Sequence, residues 1–443
     1  MVFPLRTLLF SFGIILFVFL FWALFRQKNE QASSAGYSES SLGSLPDNLI
    51  VLLFFAGFVL FPIHFRGPLL NGAVGYLGYI NLPCTLAVLL SFWRFRNWTK
   101  ADLFFFAAWL LLFVVARYSN QVLSRPRALV SAFQSVLPLF IVLYRMNQST
   151  RKKALSLFLL LFDVFVIALL ICGIEEKLFG KHNLLILFRD WMAGMGLNTG
   201  EYNLYASDSR FSSIWGHPLT TAVIFNSFFA LNGVYFRSYG RRFPVPVFFI
   251  PSLIGVLLAS SKTGITVCFL LFIVMAWKYK KWFLFIIPVL GLMYFTGAFN
   301  HIIRRFTKGS LTTGRLENLA AYFSSGLGPL RLLSGNGSGT IFSSSSPAYP
   351  YRAGFEFPLL MFAHDYGILF SLLHVVGLFG YSTWRFLRRK EWFAWICFTL
   401  LFAEINTYNA YALRNQDVCF FFCFVAMVLL NMIKEDSTAD LSC

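Results

Sequence analysis

The chain has 443 residues, of which 58% are hydrophobic and only 13% are charged, and its mean hydropathy is +0.67. This composition excludes a soluble globular protein and is typical of an integral membrane protein. The formal net charge of +18 is consistent with basic loops that fix the topology of such a protein, and no nucleic-acid partner is predicted from it.

Apolar segments that are long enough to cross a bilayer recur along the whole chain. No water is available in the hydrocarbon core, so the backbone of such segments must be helical. The sequence therefore predicts an all-α protein with thirteen transmembrane helices, or twelve if one early segment is re-entrant, in a single domain over residues 1–443. The first apolar segment is expected to be a retained anchor. The most evident segments are 7–25, 49–65, 154–174, 282–299 and 418–433.

Clusters of lysine and arginine follow alternate apolar segments. Cytoplasmic loops are enriched in these residues, so we expect all the clusters on the cytoplasmic side of the membrane and the N-terminus outside. Residues 173–216 and 300–358 then form two large extracytoplasmic loops. The clusters are Arg94, Arg96 and Lys100; Arg145, Arg151, Lys152 and Lys153; Arg237, Arg241 and Arg242; Lys278, Lys280 and Lys281; Arg385, Arg388, Arg389 and Lys390; and Lys434.

The second of these loops contains many more basic than acidic residues, which is unusual for a segment outside the cytoplasm. Guanidinium groups bind phosphate through paired hydrogen bonds, so an anionic substrate would explain the excess. Pairing with lipid headgroups or with loop carboxylates is the alternative. The loop is expected to contain a short helix over residues 314–325 and a flexible Gly/Ser-rich connection over residues 332–346. Its charged residues include Arg304, Arg305, Lys308, Arg315, Arg331, Arg352, Glu317 and Glu356.

Histidines and carboxylates supply further candidates. His364 is predicted to open the eleventh span, where a neutral imidazole can accept a proton from a hydroxyl and Asp365 can increase its basicity; the alternative is an interfacial histidine. His217 precedes a proline and is either a helix-start feature or a substrate-binding residue. Asp163 and Glu404 lie in predicted spans and are either functional or helix-packing residues. The loops lack the clustered carboxylates that a divalent metal needs, so neither a metal nor another cofactor is predicted.

Four sequence patterns occur in the same order as in the O-antigen polymerase and O-antigen ligase superfamily of bacterial envelope glycan assembly, which this chain resembles. The first is RFSSIWGHP at residues 210–218, and the second is ASSKTG at residues 259–264, where Lys262 replaces the arginine of the family. The third is TGR at residues 313–315, followed by SGNGSG at residues 334–339. The fourth is His364, Asp365 and Tyr366 followed by Gly377 and Gly380, where aspartate replaces the asparagine of the family.

The resemblance implies a GT-C-like fold and a metal-independent, inverting glycosyltransferase in the bacterial plasma (inner) membrane. Its donor would be an undecaprenyl-diphosphate-linked glycan, and its acceptor another glycan or a lipid. Arg210 and Arg315 would bind the diphosphate, and His364 would act as the base or orient the acceptor hydroxyl. All three are expected at a water-accessible surface. A chain-length regulator and a flippase are the implied protein partners, besides membrane lipids. The residues assigned to substrate binding are Arg189, Lys262, Arg304, Arg305, Arg331, His217 and Asp365.

The specific reaction is predicted to be the polymerisation of lipid-linked repeats. Both loops contain an arginine, ten residues and a glycine, as Arg189 with Gly200 and as Arg315 with Gly326, and this pairing resembles a motif of the polymerases. The alternative is a ligase that transfers the glycan to lipid A-core or another terminal acceptor. A lipid-glycan flippase or an anion transporter is the rival class, and the lack of a visible internal repeat disfavours it.

Overall fold

The computed structural model describes residues 45–60, 62, 80–92, 98–119, 125–179, 210–277, 314–326, 330–343, 346–412 and 417–433, together with isolated positions between 281 and 294. Every regular element in this part of the chain is a helix and no strand occurs in it, which confirms the all-α prediction. The predicted anchor at residues 7–25 and the site candidates Arg189, Arg304 and Arg305 lie outside the described residues.

The helices are named in chain order. The first eight are α1 (Leu45–Phe55), α2 (Leu82–Ser91), α3 (Lys100–Ser119), α4 (Arg125–Phe140), α5 (Gln148–Phe179), α6 (Pro218–Ser238), α7 (Val245–Leu258) and α8 (Lys262–Ala276). They are followed by α9 (Arg315–Ser324), α10 (Pro358–Tyr366), α11 (Ile368–Ser371), α12 (Gly377–Arg388), α13 (Trp392–Ile405) and α14 (Asp417–Met432). A π-helical turn, Ala56–Leu60, extends α1, and a second one, Leu372–Val376, joins α11 to α12. Short 3₁₀ helices occur at Ile141–Leu143, Ser213–Trp215, Thr340–Phe342, Tyr349–Phe355 and Asn409–Tyr411.

Three helices are long and apolar enough to cross a membrane, judged from length and composition alone. They are Lys100–Ser119, Gln148–Leu178 and Pro218–Ser238. Apolar helices of 10–17 residues occupy other predicted spans, including Val245–Leu258 and Asp417–Met432. The described part of the chain therefore contains membrane-compatible helices where the sequence predicts them, while the number of spans stays a prediction.

Helix α6 lies at the centre of the bundle and packs against α5, α7, α8, α13 and α14. It carries two asparagines that bind acidic residues of the predicted spans. The Nδ2 of Asn232 donates a hydrogen bond of 2.8 Å to Asp163 on α5. The Nδ2 of Asn226 lies 3.0 and 2.9 Å from the two carboxylate oxygens of Glu404 on α13. Of the two alternatives for these carboxylates, the contacts favour helix packing, since side-chain amides join apolar helices in this way.

Aromatic rings fill the core between α1 and α14. The ring of Phe54 stacks on that of Phe424 with centroids 3.7 Å apart, and the ring of Phe58 stacks on that of Phe421 at 4.6 Å. Phe58 also stacks on Trp215, at 3.9 Å, in the 3₁₀ helix that precedes α6. These ring contacts fix α1 and the chain before α6 against the same helix.

A buried carboxylate joins helix ends that lie near the predicted cytoplasmic clusters. Asp102, in the first turn of α3, has no exposed surface and forms an ion pair with Arg145. It also accepts hydrogen bonds from the hydroxyl of Tyr381 at 2.6 Å and from the backbone N–H of Thr99 at 2.8 Å. The Nη1 of Arg385 lies 4.0 Å from the same carboxylate. The start of α3 therefore lies beside the end of α12 and the chain that follows α4, and we call this side the basic end of the bundle.

A second carboxylate adds further helix ends to the basic end. Asp47, at the start of α1, accepts hydrogen bonds from the Oγ1 of Thr150 at 2.5 Å and from the backbone N–H of Asn147 at 3.2 Å. The guanidinium of Arg151 donates to the carbonyl of Ile433 at 3.1 Å, just after α14. The start of α5 is therefore fixed to the start of α1 and to the end of α14.

The other ends of these helices meet around α10. The hydroxyl of Ser119, the last residue of α3, donates to the carbonyl of Tyr366 at 2.9 Å. On α4, the Oγ of Ser131 lies 3.2 Å from the hydroxyl of the same tyrosine. The helices α3, α4 and α5 thus run in alternating directions between the basic end and this second end, which we call the opposite end.

Both predicted loops contain helix. Helix α5 continues to Phe179, so residues 173–179 at the start of the first predicted loop are helical, and the position at which the chain leaves the membrane stays a prediction. The ring of Phe211 packs against α5 here, where a Cβ on Gly173 would lie only 2.9 Å from it. The short helix predicted over residues 314–325 is confirmed, since α9 covers Arg315–Ser324.

The buried Asp102 gives a first testable prediction. Replacing Asp102 by alanine leaves Arg145 without its partner, and removing one member of a buried ion pair costs about 3–5 kcal/mol of unfolding free energy. We expect the Asp102→Ala protein to show that loss in reversible denaturation in mixed micelles.

The matched control is Glu317→Ala, which removes an exposed carboxylate from α9. Substitutions at such surface positions change stability by no more than roughly 0.5 kcal/mol. Equal stability of the two variants would contradict the role assigned to Asp102.

Candidate functional site

Helix α9 and the 3₁₀ helix Tyr349–Phe355 pack together at the opposite end. Gly314 adopts a left-handed φ of 79° before α9, and the side-chain amide of Asn318 donates to its carbonyl at 2.7 Å. Gly354 lies against the backbone of α9, where a Cβ would be only 2.8 Å from the amide nitrogen of Leu319. No side chain fits at this contact, so glycine allows the two helices to enclose a small core of Tyr322, Ile341, Ala348 and Phe355.

His364 lies under this small core, in the last turn of α10. Its ring makes edge contacts with the rings of Phe355 and Tyr322, with centroid distances of 5.1 and 6.3 Å. Only 3% of His364 is exposed, so the prediction that it opens a span at a water-accessible surface is wrong. The cause is tertiary, because α9 and the following 3₁₀ helix cover a side chain that sequence places at a helix end. Burial also raises the pKa of the Tyr322 phenol above its ordinary value, which keeps it uncharged beside the imidazole.

His364 and Asp365 form a hydrogen-bonded pair. The Nδ1 of His364 lies 3.0 Å from the Oδ1 of Asp365, and the backbone N–H of Gly339 donates to Oδ2 at 2.8 Å. An ionised carboxylate only accepts hydrogen bonds, so we assign the imidazole proton to Nδ1. The lone pair then lies on Nε2, for which the described residues supply no hydrogen-bond partner. This is the tautomer that can accept a proton from a substrate hydroxyl.

A glycine-rich segment holds the backbone of this pair. The backbone N–H groups of Asn336 and Gly337 donate to the carbonyls of His364 and Asp365 at 2.9 and 3.0 Å. Gly335 packs so closely on the carbonyl of Asp365 that any Cβ would overlap it. Backbone hydrogen bonds and close packing therefore place residues 335–339, which belong to the predicted flexible connection 332–346, on the end of α10.

Arg315 is the first residue of α9 and is anchored on two sides. Its Nη2 forms an ion pair with Glu356, and its Nη1 donates to the carbonyl of Thr407 at 2.8 Å. The guanidinium also lies over the ring of Phe357, 5.9 Å from its centroid. Its Nε is buried and has no hydrogen-bond partner in the described part of the chain. Arg315 is therefore fixed in place, and its Nε remains a buried donor without a partner among the described residues.

The segment after α13 connects Arg315 to His217. The Oγ1 of Thr407 donates to the carbonyl of Glu404 at 2.7 Å, which holds this segment against the end of α13. The ring of Tyr408 stacks on that of His217 with centroids 5.6 Å apart and planes inclined by 5°. Burial raises the pKa of the Tyr408 phenol above its ordinary value. His217 stands directly before α6, so the predicted helix-start position is confirmed, and the same residue also contacts the Arg315 region through Tyr408.

Three other predicted residues lie at the opposite end. Lys262 begins α8, where the hydroxyl of Ser261 accepts the backbone N–H of Gly264 at 3.0 Å. Arg210 is half-buried and precedes Phe211, whose backbone N–H donates to Leu258 at the end of α7. Arg331 is exposed, and its carbonyl accepts the backbone N–H of Ile368 at 2.9 Å, directly after α10.

The structure thus gathers seven predicted residues at one end of the bundle, and Arg189, Arg304 and Arg305 lie outside the described residues. Besides the direct pair of His364 with Asp365, Arg315 is linked to His364 through two adjacent residues, because Glu356 pairs with Arg315 while the neighbouring Phe355 contacts His364. The seven are Arg210, His217, Lys262, Arg315, Arg331, His364 and Asp365.

Two residues that contact Arg315 were not assigned to the site from the sequence. Glu356 was visible only as one of few acidic residues in a basic loop, and that imbalance was the signal that it has an arginine partner. Thr407 contributes a backbone carbonyl, which any residue type supplies, so no sequence signal could reveal it. In the part of the chain that the structure describes, no group of three or more His, Cys, Asp or Glu residues is arranged to hold a metal ion.

Comparisons with models of known protein families, with curated proteins and with solved structures give no match. The resemblance to the O-antigen polymerases and ligases therefore rests on the short sequence motifs alone.

The glycine contact gives a second testable prediction. Gly335→Ala places a methyl group on the carbonyl of Asp365, so the segment must move away from the His364 and Asp365 pair. We expect a lower thermal unfolding temperature in detergent and a loss of whatever activity depends on His364.

Gly380→Ala is the matched control, because no atom lies within 4 Å of the added Cβ at this helical position. Alanine in a helix is favoured over glycine by about 0.5–1 kcal/mol. The Gly380→Ala protein is therefore expected to be at least as stable as the parent, and a Gly335→Ala protein that behaves in the same way would disprove the close contact.

Proposed function

We propose that the chain is a polytopic glycosyltransferase of the bacterial inner membrane, which transfers a glycan from undecaprenyl diphosphate to an acceptor hydroxyl. The observation that carries the proposal is that one short segment contacts both a histidine and carboxylate pair and a fixed arginine. Phe355 and Glu356, which are neighbours in the chain, contact His364 and Arg315 respectively. A proton acceptor and a guanidinium that are linked through one short segment are the two groups that this reaction requires.

In the proposed mechanism, the Nε2 of His364 accepts the proton of the acceptor hydroxyl as its oxygen attacks the anomeric carbon of the donor. The bond between that carbon and the diphosphate oxygen breaks, and attack from the opposite side inverts the configuration. Asp365 holds the imidazole in the required tautomer through Nδ1. Arg315, with Arg210, stabilises the negative charge that develops on the leaving diphosphate, a role that a metal ion performs in other transferases.

Polymerisation of lipid-linked repeats is the reaction favoured by the second arginine and glycine pair. Arg315 is the first residue of α9, and Gly326, with a φ of 66°, follows shortly after its end. The ten-residue spacing therefore corresponds to one helix, and this gives the motif a structural meaning. The ligase remains the alternative in which the acceptor differs while the chemistry is the same.

The charges at the two ends of the bundle support an orientation in the membrane. Arg145, Arg151 and Arg385 lie at the basic end, and lysine and arginine are enriched on the cytoplasmic side. The opposite end, with His364 and Arg315, then faces outward, where lipid-linked glycans are assembled into polymers. We propose this orientation together with the multi-pass topology and the two extracytoplasmic loops at residues 173–216 and 300–358.

Cysteine labelling tests the orientation. Glu317 on α9 and Lys390 after α12 are both exposed, and they lie near opposite ends of the bundle. In intact spheroplasts, an impermeant maleimide is expected to label Glu317→Cys, and to label Lys390→Cys only after lysis.

The parent protein measures background labelling, since the six cysteines that the structure describes are buried or half-buried. Labelling of Lys390→Cys before lysis, with protection of Glu317→Cys, would reverse the orientation and remove the proposed mechanism.

Glycan transfer by the purified protein tests the function. Wild-type protein in detergent should elongate a lipid-linked repeat, and His364→Ala should reduce the rate by about 10²–10⁴-fold, the usual contribution of a positioned general base. Arg315→Ala should reduce it on the order of 10²-fold, as for other groups that stabilise charge in the transition state. The rate of Arg315→Lys should lie between that of the wild type and that of Arg315→Ala, since lysine keeps the charge but loses the planar fork.

Arg352→Ala is the matched control, because this exposed arginine of the same loop contacts only the neighbouring Tyr349 among the described residues. It should leave the rate unchanged within about twofold, as expected of a surface substitution. Normal turnover by His364→Ala would remove the proposed base. Absence of transfer to both a lipid-linked repeat and a lipid A-core acceptor would reject the transferase itself.

A further inference from the structure

The ion pair of Arg315 with Glu356 differs from the other contact of the same guanidinium. The Nη1 is bound to the carbonyl of Thr407, which belongs to the backbone and cannot leave without moving the end of α13. The Nη2 is bound to a carboxylate at the end of a side chain that is 36% exposed, whereas the side chain of Arg315 is 19% exposed. Of the two partners, only Glu356 can leave by a side-chain rotation.

The guanidinium edge that faces Glu356 is only partly used. In arginine, Nε and Nη2 form one edge whose two N–H groups match a pair of carboxylate or phosphate oxygens. Here Glu356 binds Nη2, while Nε is buried and has no hydrogen-bond partner in the described part of the chain. A buried donor without a partner is costly, so an anion that binds both nitrogens of this edge has an advantage over the single contact seen here.

We propose that Glu356 is an exchangeable counter-ion, which holds Arg315 in place when no substrate is bound and is displaced by the diphosphate of the donor. This inference rests on the proposed function, since it takes a diphosphate as the displacing anion. A diphosphate carries more negative charge than a carboxylate and can bind Nε and Nη2 together. A partly exposed ion pair contributes little stability, so its displacement is inexpensive.

The position of Glu356 in the chain connects this exchange to the proposed base. Phe355, on one side of it, contacts the ring of His364, with centroids 5.1 Å apart. Phe357, on the other side, lies under the guanidinium of Arg315 and directly precedes α10, which carries His364. Arrival of the diphosphate at Arg315 therefore releases a side chain from the segment that covers the imidazole.

Binding of inorganic pyrophosphate to the purified full-length protein tests the exchange without any transfer reaction. Glu356→Gln keeps the size of the side chain and removes its charge, so pyrophosphate no longer competes with a carboxylate. We expect isothermal titration calorimetry to give a dissociation constant that is about two- to fivefold lower than for the wild type, the range that corresponds to loss of a partly exposed ion pair.

Two matched variants separate the exchange from a general effect of charge. Glu317→Gln removes the same charge from an exposed position two residues after Arg315 and should leave the dissociation constant unchanged. In an Arg315→Lys background, Glu356→Gln should give no gain, because the edge that it frees is absent. If Glu356→Gln does not elute as a monodisperse protein, Glu356→Asp replaces it, and the shorter side chain should give a smaller gain in the same direction.

The outcomes distinguish this inference from the proposed function. An unchanged or weaker affinity in Glu356→Gln, an equal gain in Glu317→Gln, or no pyrophosphate binding by any variant would overturn the counter-ion, and the transfer assay would still decide the function. Tighter binding by Glu356→Gln alone supports the counter-ion. Such binding by a protein that transfers no glycan would keep the anion site and reject the transferase.

Discussion

The structure of the candidate site depends on one close contact between two backbones, that of the glycine-rich segment and that of the end of α10. Gly335 lies directly on the carbonyl of Asp365, and the next two residues donate hydrogen bonds to the carbonyls of His364 and Asp365. Without a side chain at position 335, these carbonyls at the end of a helix find donors within the protein. The same segment supplies the N–H of Gly339 to the Asp365 carboxylate, so one contact fixes both the helix end and the imidazole.

A second consequence is that the loop residues become part of the bundle. Residues 335–339 lie on the end of α10, and α9 together with the 3₁₀ helix Tyr349–Phe355 covers His364. Gly354 allows these two helices to approach closely, and Arg315 at the start of α9 then reaches Thr407 beyond the end of α13. Residues that are far apart in sequence meet because each helix end is anchored to its neighbour by polar contacts.

The two ends of the bundle use charge in different ways. At the basic end, Asp102 is fully buried and surrounded by several donors, so its ion pair is a structural connection between helix ends. At the opposite end, the pair of Arg315 with Glu356 is partly exposed and leaves Nε unused. A buried ion pair resists removal of either partner, while a partly exposed pair is weak, and this difference separates a structural arginine from one that is available to an anionic substrate.

Composition and apolar segments determined the helical, membrane-compatible character of the chain, because a long apolar segment has only one way to satisfy its backbone in lipid. Local signals also located α9, since its glycines mark both ends of a short polar helix. The sequence could not show that His364 is buried, that residues 335–339 are hydrogen-bonded to the end of α10, or that Glu356 is the partner of Arg315. Those features depend on which helix ends meet, and only the tertiary structure decides that, because contacts between distant segments arise from packing and from backbone groups that every residue carries.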